Sequence, residues 1–137
     1  MSKLNLYTKG IHKFKKGDKG LLTKNFDISE FHCKCKRPEC RITLIDLDHV
    51  DILQTVRDII GLPFKISSAY RCGVHNKIEG GKLDSQHPKG TATDIQIRGK
   101  TPSDWKEIAL EHFDGVGIYP TFIHVDSRGV TARWWGK

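Results

Sequence analysis

S-Q-H-P-K-G-T-A-T-D-I-Q-I-R, residues 85–98, decides how the rest of the chain is read. Its second half alternates: Thr91, Thr93, Ile95 and Ile97 point one way and Ala92, Asp94, Gln96 and Arg98 the other. That two-residue period belongs to a strand with one buried face, so Asp94 faces away from the isoleucines, on the side that can line a cleft. The first half places His87 seven positions before Asp94, across Gly90, the residue type that turns a chain most freely. Imidazole and carboxylate are both good ligands for a borderline ion such as zinc. A catalytic zinc takes three protein ligands and keeps a fourth position for water, so a third donor must come from elsewhere. His124, in F-I-H-V-D-S-R near the C-terminus, is the candidate.

Downstream, Thr101-Pro102-Ser103-Asp104 starts a helix: a capping hydroxyl, proline at the first helical position and an acid three residues on. Trp105, Ile108, Ala109 and His112 share one face of it, and it ends before Gly115. G-V-G-I-Y-P (115–120) and T-F-I-H-V-D-S-R (121–128) are two strand-like runs with Pro120 at the corner. Phe122, His124, Asp126 and Arg128 project from one face of the second, and A-R-W-W-G-K (132–137) is expected to cover a sheet edge or the rim of the cleft.

Upstream, F-K-I-S-S (64–68) reads as a short strand feeding A-Y-R-C-G-V-H-N, a turn into a brief helix, after which Glu79-Gly80-Gly81 opens a loop to Ser85. From about Leu44 to Ile60, Val50, Leu53, Val56 and Ile60 recur at helical spacing, and Gly61 and Pro63 stop the helix. Asp46, Asp48, Asp51 and Asp58 on it favour the helix dipole and solvate its outer face. His49 and His112 are expected at the surface or at a helix end. Residues 1–41 carry only short apolar islands and are predicted to be an irregular wrap with at most short strands, the run K-F-K-K-G-D-K being a solvated face. The fold class expected is α+β: a small, mainly antiparallel sheet with flanking helices to one side, Asp94 and His124 on neighbouring strands and His87 in the preceding loop.

A chain of 137 residues is most simply one domain, 1–137, able to bury roughly two-thirds of its unfolded surface. A hydrophobic content of 37% with 28% charged residues excludes a disordered chain, and no apolar run approaches the roughly 20 residues of a membrane helix. The N-terminus lacks the continuous apolar stretch of a secretory signal, so synthesis in the cytoplasm is expected. A net charge of +7 favours a polyanionic partner: nucleic acid, anionic lipid or a phosphate-rich cell wall. The aromatic residues are not interleaved with the basic ones as a stacking platform for single strands needs, so no specific nucleic-acid partner is expected.

Four cysteines, Cys33, Cys35, Cys40 and Cys72, are too few for a disulfide-built scaffold of this length. Three cluster as H-C-K-C-K-R-P-E-C and could hold a second, structural zinc with His32 or Cys72 as the fourth ligand. Their C-x-C-x4-C spacing departs from the C-x-x-C of zinc knuckles, and reduced or optionally paired thiols under a loop are expected instead.

Taken together, S-x-H-x-x-G-x-A-x-D at 85–94, S-S-A-Y-R at 67–71, H-N at 75–76 and G-V-G-I-Y-P-T-F-I-H-V-D at 115–126 resemble the zinc D-alanyl-D-alanine carboxypeptidase and L-alanyl-D-glutamate endopeptidase family of peptidoglycan peptidases. The resemblance covers roughly residues 26–128, and many members of that family are phage endolysins. It implies a hedgehog/D-Ala-D-Ala-peptidase-like fold, a monomer and a single catalytic zinc ion held by His87, Asp94 and His124. It also implies that Arg71 orients substrate or stabilises the oxyanion, and that the enzyme, made in the host cytoplasm, acts on the wall. Ser85, two residues before His87, can orient that ligand or contact substrate, and His75 and Asn76 are expected to line the cleft or organise the turn.

Several branches of the family carry an acid three residues before the last histidine ligand, where this chain has Thr121. Asp126, two residues beyond His124 on the same strand face, is the favoured proton acceptor, with orientation of a ligand as its other possible role and Asp114 as runner-up. The missing acid also keeps an alternative open: a catalytically inactive, zinc-containing module that binds the cell wall.

Overall fold

In the computed structural model, which describes residues 9–80 and 85–137, the alternating run forms strand β4 (Ala92–Ile97). It lies between two antiparallel partners, β3 (Phe64–Ser68) and β6 (Ile123–Asp126). Beyond β6 come β5 (Gly115–Ile118), antiparallel to it, and β7 (Ala132–Trp135), parallel to β5 at the sheet edge. The closing A-R-W-W segment thus covers an edge, as expected.

Two long helices, α1 (Leu47–Ile60) and α3 (Pro102–His112), pack against one face of this sheet. That face carries Ile95, Ile97, Ile123, Val125 and Val116, and the helices add Val50, Leu53, Val56, Trp105 and Ala109 to the core. The opposite face carries Asp94 opposite His124, and Ala92 and Gly115 on either side of Asp126. With both long helices on one side, this second face is left for the site. A third helix, α2 (Gly73–Ile78), follows β3 and carries the turn around Arg71. The architecture is α+β, as the sequence implied.

Helix α1 begins at Leu47, not near Leu44, because residues Ile42–Asp46 form a strand, β2, paired antiparallel with β1 (Ile11–Lys15). I-T-L-I-D is rich in β-branched residues and alternates in burial, so strand and helix periods compete there and the strand wins. Asp46 ends β2 and caps α1, its Oδ1 accepting from the Asp48 amide at 3.1 Å. Gly61 closes the helix in the left-handed conformation.

The rest of the N-terminal segment is held by aromatic anchors. Asp27 and Glu30 form a capping box around a short 3-10 turn, Ile28–Phe31, that drives Phe31 into the core. Phe26 is fully buried, edge-on to Phe31 at 6.5 Å and to Phe64 at 6.1 Å. Each such phenylalanine contributes roughly 1.5–3 kcal/mol. Residues 1–8, and 81–84 of the loop expected between Glu79 and Ser85, lie outside the described residues. Among the described residues no helix is long and apolar enough to cross a membrane.

Candidate metal centre

His87 lies in a 3-10 turn, His87–Lys89, that ends at Gly90 with φ of 80°. Glycine is required there twice over: the backbone is left-handed, and a Cβ would run into the Leu44 carbonyl of β2. The turn carries His87 over the sheet face where Asp94 and His124 face each other across β4 and β6. One donor atom from each of the three comes within 4.8 Å of the others, and all three residues are buried.

Each side chain has its outward atom tied, which leaves one atom directed at a common centre. His87 donates from Nδ1 to the Ala69 carbonyl at 2.6 Å, leaving the lone pair of Nε2 towards Asp94 Oδ1, 3.3 Å away. His124 meets Asp126 Oδ2 through Nε2 at 2.8 Å, leaving Nδ1 towards the same Asp94 Oδ1 at 3.0 Å. Asp94 Oδ2 accepts from Arg71 Nη2 at 3.2 Å, so Oδ1 is the inward oxygen. A tetrahedral ion with ligand bonds of about 2.0–2.1 Å needs donor separations of about 3.3 Å. Two neutral imidazoles and one carboxylate at this spacing fit a divalent ion, zinc above all, and histidine ligands pinned through their second nitrogen are the usual support for one.

The electrostatics point the same way. Burial pushes the Asp94 carboxyl up, but its bonds to His124 and His87 outweigh that and hold it well below the usual range. Asp126 is treated alike by burial on one side and by His124 and Arg128 on the other, and is also held low. Burial lowers His124, yet the two carboxylates raise it above its ordinary value. The histidine between the two buried anions therefore holds a proton more tightly than an ordinary one, and a cation at the same place would compete with that proton.

Arg71 is fixed on three sides: Nε donates to Ser68 Oγ at 3.0 Å, Nη1 to Asn76 Oδ1 at 3.3 Å and Nη2 to Asp94. It lines a cleft of about 940 Å³ together with Glu79, Ser85, Tyr119, Phe122, Arg128 and Trp134. Ser85 Oγ also accepts from the His87 amide at 3.3 Å. Asn76 and His75 do not line the cleft: Asn76 is buried beneath Arg71, and the His75 amide bonds Cys72 Sγ at 3.4 Å. Asp126 is likewise off the cleft wall, with no exposed surface, bonded to the far nitrogen of His124 and held by Arg128 Nη2 at 2.7 Å. Asp114 takes the Gly129 amide at 2.9 Å in a turn.

Three features of the site were not read from the sequence. Trp134 of β7 stands 5.1 Å from the His124 ring and donates to the Tyr119 hydroxyl at 3.0 Å, walling one side of the histidine. Gly115 and Gly117 make room for this: a Cβ at the first would meet the Asp126 carboxylate, and at the second the Trp134 ring. The signal was present in G-V-G, whose two-residue spacing puts both glycines on the site face. The third is His49, which is not a surface residue but buried on the core side, bonding Ser127 Oγ at 2.7 Å and Thr93 Oγ1 at 3.1 Å.

Burial drives His49 down to about 3, against a pull upward from Asp126. Between pH 6.5 and about 4 the unfolded chain binds a proton at this histidine that the native state refuses, so stability falls as pH falls. A slope of about 1.4 kcal/mol per pH unit is expected from one such proton. The Asp94 and Asp126 contributions are lost only below about pH 4, and that of His124, with its raised value, changes only above about 6.5. Denaturant unfolding of metal-free protein across that window checks it: the slope should be present in the native chain and flattened in His49→Gln.

A family model described as Peptidase M15 matches residues 24–126, a span holding every member of the His87, Asp94 and His124 cluster. The chain belongs to the Peptidase M15 family. No curated protein matches it significantly. M15 peptidases are zinc-dependent metallopeptidases, and the donor set of this M15 chain is of the kind such chemistry needs. A second group able to hold a metal ion lies apart from it: Cys33, Cys35, Cys40 and Cys72, all free thiols.

Proposed function

We propose that this M15 peptidase hydrolyses an amide bond in the peptide stem of bacterial peptidoglycan, with one zinc ion on His87, Asp94 and His124, and that it serves as a phage-type endolysin acting on the wall. The observation that carries this is the convergence of His87 Nε2, Asp94 Oδ1 and His124 Nδ1 on one point beside a cleft. A zinc ion held there supplies a Lewis acid that polarises the scissile carbonyl and makes water a nucleophile near neutral pH.

The chain's own residues do the rest. Asp126 on Nε2 of His124 and the Ala69 carbonyl on Nδ1 of His87 each hold a ring proton on the outward side, so the inward nitrogens are the ones offered to the ion. Arg71 cannot lose its proton, and its guanidinium on the cleft wall can share charge that develops on the carbonyl oxygen or hold a stem carboxylate. Trp134 covers one side of His124 and excludes water from it. A cleft of about 940 Å³ admits several residues of a branched peptide, and Arg71, Arg128 and Lys137 on its walls suit a substrate rich in carboxylates. The net charge of +7 favours the same anionic wall.

Defined muropeptides, treated with purified protein and analysed by mass spectrometry, test this. Cleavage should cease on chelation and return with zinc. Free D-Ala would mark a carboxypeptidase, and a new amino group on D-Glu an endopeptidase. Cleavage indifferent to metal removal would overturn the proposal. Intact substrate with zinc in place would favour the wall-binding module instead.

A further inference from the structure

We propose that Cys33, Cys35, Cys40 and Cys72 bind a second, structural zinc ion that fastens the loop of residues 32–41 to the start of α2. The sequence alone favoured reduced or optionally paired thiols, because C-x-C-x4-C departs from the C-x-x-C of zinc knuckles, and it left the fourth ligand between His32 and Cys72. The fold supplies it from 32 residues further on. Tyr70 donates its amide to the Phe31 carbonyl at 3.2 Å, which lays the chain around Cys72 against the chain around Cys33. One sulfur from each of the four cysteines lies within 4.8 Å of the others. His32, the other candidate, is turned away, its Nδ1 on Thr43 Oγ1 and its Nε2 on the Asp18 carbonyl at 2.7 Å.

The spacing suits a tetrahedral thiolate site. Zinc–sulfur bonds of about 2.3 Å require sulfur separations of about 3.8 Å along the tetrahedron's edges. Cys33 to Cys72 and Cys35 to Cys72 both measure 3.8 Å. Four thiolates on a divalent ion carry a net double negative charge, and donors are already aimed at the sulfurs. The Cys72 amide points at Cys33 Sγ, 3.4 Å away, and the His75 amide at Cys72 Sγ, also 3.4 Å away. Lys16 brings its ammonium to 3.7 Å from Cys35 Sγ. With four protein sulfurs no position is left for substrate or water, which makes the ion structural.

The loop itself needs such a fastening. Between Cys33 and Arg41 the residues other than cysteine are Lys34, Lys36, Arg37, Pro38 and Glu39. None of these can anchor a core, yet ordering each residue costs backbone entropy. A metal that ties three points of the loop to a fourth on α2 offsets that cost. Cys72 also adjoins Arg71, so the same ion fixes the backbone from which Arg71 reaches Asp94.

Elemental analysis of protein purified under reducing, zinc-replete conditions tests this. Two zinc ions per chain are expected for the native protein, one for Cys35→Ser/Cys40→Ser and one for His87→Ala/His124→Ala. Cobalt in place of zinc should give intense thiolate-to-cobalt charge-transfer absorption in the near ultraviolet. The His87, Asp94 and His124 cluster holds no sulfur, so this spectrum of the native chain decides even if the cysteine variant fails to fold. Cobalt loading without that absorption, a cysteine variant that keeps the full zinc count, or disulfides in place of zinc would overturn the proposal. If the histidine cluster alone fails to bind, the native chain holds one ion and the cysteine variant none, which leaves this proposal standing.

Discussion

Replacing His87 by alanine is expected to empty the histidine and aspartate cluster of zinc and to lower peptide hydrolysis by about three orders of magnitude, about 4 kcal/mol of transition-state stabilisation at 1.36 kcal/mol per tenfold. Two inward donors remain, fewer than a catalytic zinc needs. The fold should survive, because among the described residues the His87 ring's hydrogen bond outside the cluster goes to the Ala69 carbonyl, and Asp94 keeps its contacts with His124 and Arg71. His124→Ala is expected to behave differently. It removes the group between Asp94 and Asp126 and leaves two buried carboxylates facing its cavity, so a folding defect of about 3–5 kcal/mol accompanies the loss of activity. Zinc content, hydrolysis rate and unfolding midpoint measured on both variants check the contrast. A His87→Ala protein that keeps its zinc and its rate would remove His87 from the proposed ligands.

This contrast between two histidines of one cluster shows where sequence reading runs out. The strand period of residues 91–98 placed Asp94 on the site face because alternation is a local property of one strand. The pairing of Asp94 with His124 followed from two strands that had to be neighbours to share a core. What holds each ligand is not local. Ala69 contributes a backbone carbonyl, which no residue type announces, and Trp134 reaches His124 only because β7 pairs with β5, parallel to it, across the sheet edge. His49 read as a surface or helix-end residue, as a lone histidine usually is, and its burial follows from the docking of that helix start over Thr93 and Ser127. The strand β2 was hidden by an ambiguous apolar run whose partner, β1, lies about thirty residues earlier.

Asp126→Asn separates two roles that the sequence left together. A proton acceptor working near neutrality needs a carboxyl whose affinity for protons is raised towards that pH. Asp126 is shifted the other way: burial raises it, but His124 and Arg128 together hold it below the ordinary range. It also lies on the far side of the His124 ring from the inward nitrogen and outside the cleft wall. We therefore expect it to act as a positioning residue that keeps the proton of His124 on Nε2. An asparagine of the same shape can turn its amide nitrogen to that atom, which favours the tautomer with the proton on the inward Nδ1 and opposes metal binding. Zinc affinity should fall by about 10–100-fold, the usual consequence of losing a group that orients a ligand. Saturating zinc should then restore most of the rate, because the ion recaptures the correct tautomer, and the pH dependence of kcat should stay where it was. If Asp126 instead takes the proton from the attacking water, excess zinc will fill the site without restoring the rate, since the missing group is then a base and not a hand on the ligand.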